Sequence, residues 1–397
     1  MIPINEPKIF GNEISFIKKT LSRNWISSYG KNISNFEKEI KKVTKSKYAI
    51  ACINGTASLQ VALKLCGAKN GDEVIVPSFT FISTINAISY NNCNPIFMDS
   101  DEYFNLDQNK TIEFLRNNTS FKKGYSFNKK TKKRIISLII VGVWGSAPLF
   151  EKLFNECKKR NIKIVEDAAE CLGTYYKKGK FKKKHFGTIG DIGCLSFNGN
   201  KIITTGGGGM ILTNNKTMMN KARYLISQAK NDNINFVHDE IGYNYRFSNL
   251  QAAFGMGQIK NLNKIIKKKK TIHQNYKKYL IKSDIFSLFD FPNYSNNNHW
   301  LMILQIRLAD IKLLEKVKKK IFKLFEKNKI EIRSVWLPNH LQKPYKKSEN
   351  FKIKNANLLF AKSLCLPSSY SLTKDNQKTI TEILKKIENE HSSLVKR

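Results

Sequence analysis

The chain has no apolar run near the ~20 residues that a membrane-spanning helix needs. Its best, "IISLIIVGVW" at 135–144, has ten and reads as a buried strand. None of the seven cysteines (52, 66, 93, 157, 171, 194 and 365) forms a CxxC pair, which argues against a zinc site or a disulfide framework and for a reducing, cytoplasmic setting. The opening residues "MIPINEPKIFGNE" have neither a basic n-region nor an apolar h-region, so no secretory signal and no membrane insertion is expected. No internal repeat is present. Acidic residues are scarce, with 31 Asp and Glu against 69 Lys and Arg, for a net charge of +38. That balance suits a nucleic-acid binder. The lysines, however, are spread along most of the chain among abundant Asn and Ile, and no nucleic-acid fingerprint accompanies them. The expectation is no nucleic-acid partner, and a field that favours an anionic substrate.

What is present is a large foldable chain of 397 residues, 41% of them hydrophobic. From about 47 to 230, apolar runs alternate with helical patterns: "YAIACINGT" then "ASLQVALKLCG", "DEVIVPSFTF", "NPIFMDSD", "IISLIIVGVW", "LFEKLFNECKKRN" and "IKIVEDAAE". This rhythm predicts a mostly parallel sheet covered on both faces, with ligands beyond the carboxyl ends of its strands. The basic segment 116–134 interrupts it as a solvated excursion carrying a small hairpin. After about 245 the pattern changes to Lys-rich helices and a few strands. The reading is a large domain over 1–245 and a smaller α+β domain over 246–397.

Three places suggest chemistry. Asp167 closes the run "IKIV" and so projects at a buried strand end, where an unpaired carboxylate is costly and asks for a cationic partner. "NGTASLQVAL" at 54–63 has the form of a turn opening a helix, whose free N–H groups suit a phosphate. Lys201 lies 34 residues after Asp167 in "SFNGNKIITTGGGG" (196–209), between two further strands. Desolvation there would lower the pKa of its amine and make it a nucleophile toward carbonyls, and the four glycines would let the backbone approach a bulky ligand. Together they ask for a ligand with a phosphate, a protonatable ring nitrogen and an aldehyde. Pyridoxal 5'-phosphate has those parts.

Ordered words along almost the whole chain carry a family resemblance: "WISSYGKNISNFE" (25–37), "NGTASL" (54–59), "PSFTFISTINAI" (77–88), "EDAAECLG" (166–173), "GDIGCLSFNGNKIITTGGGGMI" (190–211) and "GYNYRFSNLQAA" (242–253). In these the chain resembles the DegT/DnrJ/EryC1/StrS sugar aminotransferases, which have the α/β aspartate-aminotransferase-like fold, PLP fold type I. "SFNGNKIITTGGGG", the 116–134 insertion and "IRSVWLPNHLQKPYK" (332–346) look most like the 4-amino-sugar enzymes of the bacillosamine and legionaminic acid pathways. The resemblance implies that Lys201 is the Schiff-base lysine and Asp167 the partner of the pyridine nitrogen. It puts Phe81 on the cofactor ring, Thr56, Ala57 and Ser196 at its phosphate, and Glu170 facing its phenolic oxygen. It also implies that Asn244 reaches the phosphate of a neighbouring subunit, in a homodimer with shared active sites.

The implied activity is transfer of an amino group, with glutamate as donor, to a UDP-linked 4-keto-6-deoxy-N-acetylhexosamine for bacterial surface glycan synthesis. The alternatives are a GDP- or dTDP-linked ketosugar, as in perosamine synthesis, or a non-catalytic regulatory member. Related dehydratases carry histidine in place of the Schiff-base lysine, and Lys201 speaks against that chemistry. Two positions depart from the pattern. Asn198 stands where many members have histidine, a form at home in the 4-amino-sugar subgroup. Gly142, in "VGVWGSAPLF", stands where a "VHxxG" histidine is usual, a change expected to bear on substrate positioning.

Overall fold

The computed structural model describes residues 1–232 and 234–395. In chain order its helices and strands are α1 (Asn12–Leu21), α2 (Lys31–Thr44), β1 (Tyr48–Cys52), α3 (Gly55–Leu65), β2 (Glu73–Pro77), α4 (Ile82–Ser89), β3 (Asn94–Met98), α5 (Gln108–Asn117), β4 (Thr119–Lys122), β5 (Tyr125–Asn128), β6 (Arg134–Val141), α6 (Glu151–Lys159), β7 (Lys163–Asp167), β8 (Tyr175–Tyr176), β9 (Ile192–Ser196) and β10 (Gly209–Thr213). There follow α7 (Lys216–Ile226), α8 (Asn249–Ile259), α9 (Leu262–Leu280), β11 (Phe286–Leu288), β12 (Ser295–Asn296), β13 (Met302–Ile306), α10 (Ile311–Lys327), β14 (Arg333–Ser334), β15 (Glu349–Phe351), α11 (Asn355–Lys362), β16 (Ser363–Leu366) and α12 (Lys374–Val395).

The alternation of apolar runs and helices folds into one large sheet in the order β1-β10-β9-β7-β6-β2-β3-β15. From β9 to β15 every neighbour is parallel, whereas β10 is antiparallel to both β9 and β1. Strands such as β2 ("EVIVP") and β10 ("GMILT") are buried at every position because helices cover both faces. The expected excursion is the β4–β5 hairpin, which joins the sheet through β6. The fold is α/β, of the type expected.

A second sheet, β11-β13-β16-β14, carries its own core of Phe286, Met302, Val317, Leu364 and Leu384 under α9, α10 and α12. Parts of the chain beyond residue 245 nevertheless pack with the first unit: α8 lies on α1 and α2, and β15 extends the large sheet along β3. At the other end, Ile2 bridges to Ile330 beside the small sheet. No helix among the described residues is long and apolar enough to cross a membrane.

Helix starts are set locally. Asn54 caps α3 by accepting from Ala57 N at 2.7 Å, and Ser248 and Gln251 form a capping box on α8. The parallel strands β2, β6 and β7 all point their carboxyl ends at the level where α3 begins, and the loops leaving them build the site.

Candidate active site

A cavity of about 540 Å³ opens at those strand ends, between the large sheet and the small one. It is lined by Gly55 and Thr56 from the first turn of α3, Phe81 and Thr84 after β2, Asp167 at the end of β7 and Glu170 beyond it, and Ser196 at the end of β9 and Lys201 beyond it. Residues that are distant in sequence therefore converge because parallel strands deliver their following loops to one edge.

Lys201 is 13% exposed, with Nζ 3.3 Å from Glu170 Oε1 and 4.1 Å from the centre of the Trp300 ring. The amine thus sits on an aromatic face beside a carboxylate. The second oxygen of Glu170 accepts from Trp144 N at 2.9 Å, and burial pushes its carboxyl up to about 7. Asp167 is buried, and among the described residues its carboxylate accepts from neutral donors only, Thr84 Oγ1 at 2.6 Å and Ala169 N at 3.1 Å. Burial raises its pKa, while those two hydrogen bonds and the nearby Lys201 charge oppose the shift. Among the described residues no cationic side chain is hydrogen-bonded to Asp167, and Lys201 pairs with Glu170 instead.

The helix end and the strand end meet closely. A Cβ on Gly55 would stand 2.9 Å from Ser196 Cβ, so only glycine lets α3 begin against the end of β9. The first-turn N–H groups of Gly55 and Thr56 have no intrahelical partner, and Ser196 contributes a hydroxyl beside them. This is a cradle for an anion, some way along the same cavity from a buried carboxylate and an amine. Phe81 is the N-cap of α4 and remains 52% exposed, a flat ring on the cavity wall near Trp336.

Two of the expected residues do not line the cavity. Ala57 is buried one residue deeper in α3, with its N–H given to Asn54 Oδ1. Asn244 is exposed, bridged to Ser227. The glycine run also serves a different purpose from the one its sequence suggests. Although Gly208 reaches the cavity, a Cβ there would strike Phe247 and one on Gly209 the Asn54 backbone, so these glycines mainly let protein pack on protein. Gly142 is likewise off the cavity, and its missing side chain is replaced by Cys171 and Phe186. Its expected bearing on substrate positioning is therefore not a direct contact.

The sequence reading passed over Thr84, Trp144, Trp300, Arg333 and Trp336, all on the cavity wall. Trp144 stacks on Trp336 at 4.3 Å between ring centres and on Trp300 at 6.1 Å. Thr84, Trp144, Arg333 and Trp336 fall within stretches that the sequence pattern marks, but nothing local singles them out, and Trp300 lies outside all of those stretches.

The model of the DegT/DnrJ/EryC1/StrS aminotransferase family matches residues 7–385. This chain belongs to that family. It is similar to EpsN of Bacillus subtilis, named as a pyridoxal phosphate-dependent aminotransferase, with 33% identity over 96% of this chain and 95% of EpsN. It is 34% identical to GDP-perosamine synthase of Escherichia coli O157:H7 over 94% of this chain and 95% of that protein. Among solved structures, the sugar aminotransferase Spr1654 of Streptococcus pneumoniae in its PLP form shares the fold, with a TM-score of 0.85, 21% identity, and 98% and 99% of the two chains covered. The protein is an aminotransferase that works with pyridoxal phosphate. Its cavity fits that group: an anion cradle, a flat aromatic wall, a buried carboxylate with no protein cation bonded to it, and an amine.

Proposed function

We propose that the enzyme transfers an amino group from glutamate to C4 of a nucleotide-linked 4-keto-6-deoxy sugar. The observation that carries this reading is the single cavity gathering Lys201, Asp167, Phe81, Ser196 and the start of α3. When bound, pyridoxal phosphate supplies an electrophilic carbonyl and a ring that accepts the electron pair released at the substrate carbon. The Lys201 amine would face that carbonyl as a nucleophile and would hold and move a proton at the substrate carbon. Glu170, 3.3 Å away, is placed to share that proton. Asp167, its carboxylate oriented by Thr84, would keep a ring nitrogen protonated. Thr56, Ser196 and the free N–H groups at the start of α3 would hold the phosphate, without Ala57, whose N–H is taken by Asn54. Phe81 would cover the ring.

Exposed Trp25, Ile26, Tyr29 and Ile241 provide an apolar surface suited to a second copy. From its exposed position Asn244 would complete the phosphate site of that copy, giving a homodimer with shared sites. The sugar is read as UDP-linked and N-acetylated on the motif resemblance. A GDP-linked substrate is the second reading, favoured by the similarity to a GDP-perosamine synthase.

Supplying glutamate and UDP-, GDP- or dTDP-linked 4-keto-6-deoxy sugars in turn, with product mass as the readout, decides between them. Amination of only the UDP compound supports the first reading, and amination of only the GDP compound the second. Failure with all three under conditions where the cofactor is bound overturns the function. Borohydride reduction and peptide mapping test the site separately: the pyridoxyl group is expected on Lys201, and label on another lysine refutes the assignment.

A further inference from the structure

One buried lysine has no place in the chemistry above. Lys269, on α9, is 3% exposed, and its three hydrogen-bond acceptors are all neutral: Asn5 Oδ1 at 2.6 Å, Ser368 O at 2.6 Å and Trp300 O at 3.0 Å. An ammonium has three protons to donate, and all three are used. The acceptors come from three separate stretches: the N-terminal segment, the stretch leading into β13 and the one leaving β16. Burial with no compensating charge pushes the Lys269 pKa down to about 7. Such a site is a poor way to gain stability, because an apolar side chain of similar volume would avoid the desolvation. Its geometry gives it another use.

Two of the groups held by Lys269 lead to the same atom. Asn5 Nδ2 donates to Asn200 O at 2.6 Å, and Trp300 Nε1 donates to Asn200 O at 2.7 Å. Asn200 immediately precedes Lys201, and the Trp300 ring is the face on which the Lys201 amine lies. Asn5, Asn200, Lys201 and Trp300 all line the cavity. The turn itself is short, closed by Lys201 N donating to Asn198 O at 3.0 Å, so its carbonyl at 200 has few other means of being held.

We propose that Lys269 is a positioning residue for Lys201: through Asn5 and Trp300 it fixes the Asn200 carbonyl and the indole face, and so sets where the Lys201 amine stands. This deepens the reading of Lys201 as the Schiff-base lysine and rests on it. The structural part of the claim can be tested without the cofactor.

The test compares wild type with Lys269→Met, Asn5→Ala and the double variant. Backbone hydrogen exchange is measured on cofactor-free protein. Both single variants are expected to exchange at least ~10-fold faster at 199–202, with β2 and β6 unchanged. The double variant should be no faster than either single, because both cut one relay. With cofactor added, borohydride trapping at Lys201 should slow several-fold, and kcat should fall by more than KM changes. Unchanged exchange at 199–202 in both single variants overturns the proposal, as does additivity in the double. Faster exchange spread through α9 and the small sheet, with normal trapping, shows a purely structural lysine and also overturns it. Should Lys269→Met fail to fold, Asn5→Ala keeps the ammonium in place and decides on the same readouts. Fast exchange at 199–202 with label on a different lysine would leave the relay standing and refute the Schiff-base assignment.

Discussion

Replacing Gly142 by alanine is expected to destabilise the protein although the backbone there is ordinary. Its φ is −89°, so a side chain costs nothing conformationally, and alanine would by itself gain up to about 1 kcal/mol through the unfolded chain. Space decides against it. The new methyl would lie inside van der Waals contact with Cys171 Sγ and 2.8 Å from both Phe186 Cε1 and Ser146 O. The last is backbone and cannot swing aside, so the overpacking cost belongs at the upper end of the usual ~1–3 kcal/mol, for a net loss of about 2 kcal/mol. For a chain of this length that lowers the melting temperature by roughly 2–3 °C. Because Gly142 N donates to the backbone carbonyl of Asp167 at 3.1 Å, the displacement is passed to the strand end that carries the Asp167 carboxylate, and turnover should fall as well. Calorimetry on cofactor-free protein measures the first effect, and kcat with the accepted ketosugar the second. In a Cys171→Ala background the nearest obstacle is gone, so the second substitution should cost at least ~1 kcal/mol less than it does alone. An alanine variant that melts at or above wild type, or costs that simply add, would refute the steric argument.

Thr84→Val keeps the shape of a fully enclosed side chain but removes the 2.6 Å hydrogen bond to Asp167 Oδ2. A hydrogen bond to a charged group is worth about 1.5–3 kcal/mol, so kcat should drop at least ~10-fold and the cofactor should be lost faster on dialysis. Normal turnover and retention would mean Thr84 does not support Asp167. His185, 1% exposed, accepts from Gly173 N at 2.9 Å, and burial pushes its pKa down to about 4. Its unfolded value is near 6.5, so its contribution is fully present above pH ~6.5 and is lost as pH falls through ~4, about 2 kcal/mol by pH ~5. Urea unfolding of cofactor-free wild type and His185→Gln at pH 7 and 5 should give a gap that narrows at the lower pH, and a constant gap would exclude the titration.

The sequence by itself settled the periodic and covalently local matters. Apolar runs of strand length, bounded by turn residues and separated by helical spacing, can be buried only in a parallel sheet covered on both faces, and β2, β3, β6, β7 and β9 are where those runs stand. Asp167 was legible because it ends such a run, and Lys201 because an amine beside a glycine-rich turn is unusual. The β4–β5 hairpin was legible as a polar break in an apolar rhythm. Other features had no local mark. That Glu170 takes the Lys201 amine depends on the turn after β9 folding back over the loop after β7. Trp300 lies 99 residues and Lys269 68 residues after the Lys201 they serve, and their roles exist only because the small sheet is laid across the cavity. Of the four glycines read as ligand clearance, Gly208 and Gly209 give clearance to Phe247 and the Asn54 backbone, whereas nothing crowds Gly206 or Gly207. A missing Cβ shows in the sequence that something comes close, but which atom comes close is decided by packing between segments that the sequence keeps apart.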